Sequence, residues 1–474
     1  MASTMRLLTR RDFLRSAALA SAALALLPAQ PAAAWGQVPE ILGRIRPPVF
    51  PGRDFNIVNY GAAPDASRDC SGAIRQAIAL CSQAGGGRVV VPAGEFLTGA
   101  VHLRNNVNLH LTEGATLRFS TDPGLYLPAV YTRWEGVECM SYSAFIYAFE
   151  QENVAVTGTG TLDGQAGPEH WWPWTGSPAY GGGPDKPNAM AGRRRLFEMG
   201  ENDVPVRERL LGEGSWLRPN FIQFYRCRNV LVDGISLRNS PMWQIHPVLC
   251  TNVTVRGVTA MSHGPNNDGC NPESSRDVLI EDCLFDTGDD CIAIKSGRNR
   301  DGRRIDVPSE NIIVRNCRMK DGHGGVTIGS EASGGVRNVF AENCRMDSPA
   351  LDRVLRLKTN SVRGGFIENV FMRHVTVGQV ADAVLSVDLY YEEGDAGKFP
   401  PVVRNIEMTG VTSQKSKYAL YLRGYRQDPL RDIRLGQCSF ENVANDDVIE
   451  NVEGLTLDRV TVNGQVRRPQ PSKG

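Results

Sequence analysis

The sequence predicts an all-β fold, a right-handed parallel β-helix whose first coil is covered by a short N-terminal helix. Three observations carry this reading. A nine-residue phrase recurs as "NVLVDGISL" at 229, "NVTVRGVTA" at 252, "DVLIEDCLF" at 277, "NIIVRNCRM" at 311 and "NVFAENCRM" at 338. It continues as "NVFMRHVTV" at 369, "NIEMTGVTS" at 405, "DIRLGQCSF" at 432 and "GLTLDRVTV" at 454, at spacings of 22 to 36 residues. Repeats at such a period belong to solenoids, here with connecting loops of uneven length. Within each copy apolar and polar residues alternate, the pattern of a strand with one buried face, and no period near 3.6 appears. Finally, the seventh position of the phrase holds Ile235, Val258, Cys283, Cys317, Cys344, Val375, Val411, Cys438 or Val460. Cysteine exchanging with valine there behaves as a small apolar core group.

The elements follow in chain order. "TRRDFLR" (Thr9 to Arg15) precedes an Ala/Leu-rich stretch and the small residues Ala32 to Ala34. Residues 1–34 thus read as a twin-arginine-type export signal, the apolar run being too short and alanine-rich to span a bilayer. Residues 35–474 are expected to form a single catalytic domain, exported to the periplasm or secreted. A helix capped by Asp69 or Ser71 and ending before Gly85 covers the open core and strand edge of the first coil. "NVAVTGTGT" at 153 is an early copy of the phrase. From Gly164 to Pro219 the repeat lapses into a Trp-, Pro- and Gly-rich insertion (164–219), and loops that long are more often functional than idle. Trp171, Trp172 and Trp174 in it either stack on sugars or anchor the loop. Clear coils then run through 229–462. The Asn or Asp opening each phrase suits a left-handed turn residue, and stacked asparagines can bond along the axis.

Charge and cysteine usage bound the function. Lysines plus arginines number 52, as do aspartates plus glutamates. With no net field, neither nucleic acid nor a membrane surface is an expected partner, and an acidic ligand must be caught by local cations. The 11 cysteines fall one per coil over much of the chain with no CxxC, so packing is expected of them rather than metal ligation. "GGGRVVVPAG" lacks the spacing of a phosphate loop. No metal or cofactor is anticipated, and the protein is expected to be a monomer.

Polar residues concentrate in four consecutive coils. Asp268 lies 16 residues past its phrase start, Asp289 and Asp290 lie 12 and 13 past theirs, His323 lies 12 past, and Arg356 and Lys358 lie 18 and 20 past. Coils stack about 4.8 Å apart, so these groups should share one lateral face. Three carboxylates, an imidazole and two cations admit two chemistries. In glycoside hydrolysis one carboxyl donates a proton while another activates water, and crowding keeps one of them protonated. In β-elimination the carboxylates hold Ca²⁺ and a base abstracts a proton. Adjacent strand residues point to opposite faces, so Asp289 and Asp290 share a cleft only if the chain turns, a freedom assigned to Gly288.

"NND" (266–268), "GDD" (288–290), "GHG" (322–324) and "RLK" (356–358) resemble, in order, the four motifs of glycoside hydrolase family 28, the polygalacturonases. Asn267 stands where that family usually has Thr, and Leu357 where it has Ile. The resemblance runs from about Asp54 to Val462. It implies a pectic polysaccharide or oligogalacturonide partner whose α-1,4-galacturonosyl linkages are cut with inversion. It assigns Asp289 as general acid, Asp268 and Asp290 as activators of water, and His323 as the hydrogen-bonding neighbour of the acid. Arg356 and Lys358 would grip the substrate carboxylate, Lys295 would be a second such contact, and Asn266 would orient Asp268 or a sugar hydroxyl. Tyr390 or Tyr391 would line a sugar subsite, with Tyr391 taken into the candidate set. Inverting enzymes typically hold acid and base about 6.5–9.5 Å apart. The insertion suggests exo attack. Two alternatives stand beside this reading: a calcium-dependent pectate lyase and a non-catalytic glycan-binding β-helix.

Overall fold

The structure, a computed structural model, describes residues 34–468. The segment read as an export signal lies outside the described residues except for Ala34. Three parallel sheets wind along one axis. Two have fourteen strands each, and a third face consists of four strands followed by six. The opening halves of the nine-residue phrases lie in the first sheet with unbroken register, for example Val230↔Val253↔Val278↔Ile312↔Val339↔Val370↔Ile406↔Ile433, and their last residues enter the second. Their inward residues join one continuous core with Cys283, Cys317, Cys344 and Cys438. All eleven cysteines are buried and unpaired, and for the four in the seventh position this is the packing role that exchange with valine predicts.

The residue opening each phrase adopts a left-handed conformation, with φ of 56° at Asn229, 60° at Asn252, 57° at Asn338 and 57° at Asn369. Side-chain amides bond from coil to coil: Asn252 to Asn229 (2.7 Å), Asn338 to Asn311 (3.1 Å), Asn369 to Asn338 (3.0 Å) and Asn405 to Asn369 (2.7 Å). These bonds tie neighbouring coils together at the same corner.

Helix α1 (Val38–Arg44) was not expected. It lies on the outer face of the first sheet, where Val38, Ile41 and Ile45 meet Leu279, Ile313, Phe340 and Phe371. Helix α2 (Ser71–Gln83) is the anticipated cover of the first coil, burying Ile74, Ala77, Ile78 and Cys81. Asp69 accepts the Ser71 amide at 2.9 Å. The insertion carries helix α3 (Met190–Glu201). Trp171 and Trp174 are buried in it against Tyr126, Phe145 and Trp216, so they anchor the loop. Trp172 is committed as well, donating to the Ser240 carbonyl at 2.9 Å. An antiparallel hairpin, Val130–Trp134 with Val137–Ser141, packs beside α3 and was not read from the sequence.

The third face positions the site. Its two halves join through bridges Ile245↔Cys270 and Cys270↔Ile292. Asp268, Asp289, Asp290 and His323 all occupy the turn between the second and third sheets, just before Cys270, Ile292 and Val326. Arg356 and Lys358 lie within the third sheet itself, opposite Thr327 and Gly329.

Candidate active site

The turn before the third sheet brings the acidic pair together. Asp289 and Asp290 follow strand Leu284–Thr287 and precede Ile292–Ile294, so strand alternation does not apply to them. Thr287 Oγ1 donates to the Asp289 carbonyl (2.7 Å), and the Asp290 amide donates to Asp289 Oδ1 (2.9 Å). Gly288 does not supply left-handed freedom as expected. It supplies room, because a Cβ there would meet the Gly264 carbonyl oxygen at 2.4 Å.

One oxygen each of Asp268, Asp289 and Asp290 converge within 4.8 Å. Lys358 Nζ is 2.8 Å from Asp290 Oδ2, and Arg356 is 3.3 Å from Oδ1. Thr327 Oγ1 also donates to Oδ1, at 2.9 Å. Burial alone would raise the Asp290 pKa, but Lys358, Arg356 and Lys295 outweigh it and hold this carboxylate ionised. Burial likewise opposes ionisation of Asp289, yet the hydrogen bond from His323 Nδ1 (3.0 Å) together with the charges of Lys358 and His323 outweighs it and keeps its pKa below the usual range. The same bond raises the pKa of His323 against the effect of burial. Asp268 goes the other way. Burial first, then the charge of Asp289, pushes its carboxyl well above the ordinary range. The carboxyl pushed up is therefore Asp268, by burial before crowding, rather than a member of the adjacent doublet.

All nine candidate residues meet in one cleft. The cleft, of about 200 Å³, is lined by Asn266, Asp268, Asp289, Asp290, Lys295, His323, Arg356, Lys358 and Tyr391. The structure chooses Tyr391 over Tyr390. The first ring lies 5.2 Å from Lys358 Nζ, while Tyr390 packs on Tyr425 and under Arg423. Lys295 is buried, not solvated: it lies 3.9 Å from Asp268, 2.9 Å from Glu331 and over the Trp243 ring. Asn266 lines the cleft without orienting Asp268. Its amide oxygen accepts from Arg218 (2.6 Å), and Asn271 bonds Asp268 Oδ2 instead (2.7 Å). Asn267 knits the turn, accepting from the Ser262 hydroxyl and the Gly264 amide. His246 is a buried histidine bonded to Glu273 at 2.7 Å, outside the cleft.

Sequence reasoning missed Glu331, Arg298, Trp243, Glu135, Arg193 and Glu392, which with Ser330 complete the lining. Glu135, at the hairpin tip, receives Arg193 of α3 at 2.8 Å, so hairpin and insertion together wall one side. No repeated pattern marks these residues; all but Trp243 are isolated charges, and Arg193 is carried by α3. A divalent cation could in principle be held where the three aspartates converge. Lys358, Arg356 and Lys295 already neutralise that charge, which weighs against it.

The family model for "Glycosyl hydrolases family 28" matches residues 213–461. A solved hyperthermoactive exopolygalacturonase from Thermotoga maritima has a TM-score of 0.89 at 46% identity, covering 91% of this chain and 96% of that one. The chain belongs to glycosyl hydrolase family 28. It is a right-handed β-helix glycosidase. A probable polygalacturonase of Vitis vinifera is 28% identical over 395 residues, 80% of this chain and 72% of that protein. An exo-poly-alpha-D-galacturonosidase of Dickeya chrysanthemi is 25% identical over 420 residues, 82% of this chain and 67% of that protein.

Proposed function

We propose that this glycosidase hydrolyses α-1,4-galacturonosyl linkages of polygalacturonate or its oligomers, with inversion and from a chain end, after export through a twin-arginine-type signal as one catalytic unit. A single observation carries the reading: three converging carboxylates face an Arg–Lys pair in one cleft. An ionised sugar demands such cations, and Arg356 offers a planar fork to its carboxylate.

Asp289 acts as the acid. The substrate carboxylate, drawn to Arg356 and Lys358, neutralises charge that holds Asp289 and Asp290 ionised. The Asp289 pKa then rises, and a proton crosses the 3.0 Å from His323 Nδ1 to Asp289 and on to the leaving oxygen. Asp290 and Asp268 flank the water. Because Asp290 is pinned by Lys358, Arg356 and Thr327, it suits a water-holding base better than a nucleophile that must swing onto carbon. End-on attack is supported by the wall of hairpin and α3, where Glu135 and Arg193 border the cleft.

The test is a digest of polygalacturonate with and without chelator, resolved by size and ultraviolet absorbance, with proton NMR of the first product anomer. The expected result is saturated mono- or digalacturonate from the outset, of inverted configuration and indifferent to chelator. Early mixed oligomers would refute end attack, and a retained anomer would refute inversion. An ultraviolet-absorbing product would replace hydrolysis by elimination.

A further inference from the structure

Beyond Arg356 and Lys358, toward the C-terminal coils, a second cavity of about 500 Å³ opens. It shares Arg356, Lys358 and Tyr391 with the catalytic cleft, so the two are continuous. Its far side is formed by Lys417, Tyr418 and Tyr421, which no step of the chemistry uses. The ladder fixes where they stand. Arg356 pairs with Ser386, and Ser386 with Tyr421, so Tyr421 is two rungs, about 10 Å, from Arg356 on the same outward row. The intervening side chain is small, which leaves a recess between an arginine and an aromatic face. Tyr418 stands beside Tyr421 with ring centroids 5.5 Å apart, and both remain half-exposed.

Charge singles out one residue here. Arg353 is engaged by Asp352 and Asp382, and Arg356 by Asp290. Lys417 is exposed, with its ammonium 5.1 Å from the Tyr418 ring centroid, and it pairs with no carboxylate among the described residues. An unpaired ammonium beside two tyrosine faces is a receptor for a group that is both anionic and ring-shaped.

We infer that Lys417, Tyr418 and Tyr421 form an outer subsite for a further galacturonate of the departing chain, with Lys417 receiving its carboxylate and Tyr421 its ring face. The inference rests on the galacturonan reading of the cleft and extends it: the enzyme recognises chain length on the side opposite the wall. A disaccharide spanning the scissile bond does not reach this subsite, whereas a tetramer does.

The experiment compares kcat/KM on digalacturonate and tetragalacturonate for the full-length protein, Lys417→Gln and Tyr421→Ala. Lys417 is exposed, so its replacement does not endanger folding. The wild type should favour the tetramer. Each variant should reduce the tetramer-to-dimer ratio by roughly three- to tenfold, with the change carried in KM, the scale of one exposed ion pair or one aromatic contact. An unchanged ratio in both variants, or a wild type indifferent to length, overturns the subsite. If the wild type cleaves neither substrate, the galacturonan reading itself fails, and the subsite with it.

Discussion

Replacing Glu331 by Gln isolates one charge without emptying its space. Glu331 is 6% exposed and holds Lys295 at 2.9 Å and Arg298 at 3.3 Å. Lys295 Nζ is in turn 3.9 Å from Asp268, so the two carboxylates are less than about 7 Å apart. At an effective dielectric near 20, a charge at that distance contributes about 2 kcal/mol. That is more than one pKa unit. Removing a negative charge lowers the pKa of a neighbouring carboxyl, and it also leaves Lys295 with Asp268 as its nearer acid. The Asp268 carboxyl, raised in the wild type, should therefore ionise at lower pH. If Asp268 must be ionised to help activate water, the acidic limb of the kcat/KM profile on digalacturonate moves down by about one unit. Breaking a buried pair also costs about 3–5 kcal/mol of stability, a melting shift of only a few degrees in a chain this long. The assay is the pH profile measured well below the melting point of the variant. A limb that stays in place, or moves upward, would falsify the electrostatic link between Glu331 and Asp268.

Asp289→Asn should lower kcat by roughly 10²–10⁴ while calorimetry still detects oligogalacturonide binding; near-normal turnover would remove Asp289 from the acid role. Arg356→Lys keeps the charge but loses the fork, and kcat/KM should fall roughly tenfold or more, with full activity showing that bidentate geometry is irrelevant. Cys344→Val should cost less than about 1.5 kcal/mol in denaturant unfolding, because the slot already accepts valine in other coils; collapse of the fold would contradict the packing role. Phe340→Ala should cost about 3 kcal/mol and open residues 34–45 to proteolysis, since Phe340 stacks against Trp35 and Phe371 under α1.

The coils were legible because a strand of period two, an amide spine and a small-residue slot repeat together, and each repetition reinforces the others. The site was legible for the same reason. Asp268, the aspartate doublet, His323 and the RLK triplet occupy comparable positions on successive coils, so stacking alone gathers them. What escaped notice lacks repetition. Glu331 and Arg298 are single charges, and the hairpin around Glu135 has no partner phrase. Helix α1 was a different case. Its landing strip was present in the outward residues Leu279, Ile313, Phe340 and Phe371, apolar in four successive copies where alternation calls for polar ones. The protonation pattern could not be read at all. It depends on how deeply Asp268 is buried and on which cation faces which oxygen, and both are set by packing.

The strand Arg353–Lys358 interleaves Leu355 and Leu357, which fill the core, with Arg356 and Lys358, which face the cleft. A slip of one residue would drive both cations inward and both leucines out, at a cost no small domain survives. Any lineage that keeps this β-helix folded is thereby compelled to keep its two substrate-facing cations aimed. Recognition at this rung is inherited with stability, and mutation can remove a cation there but cannot easily redirect one.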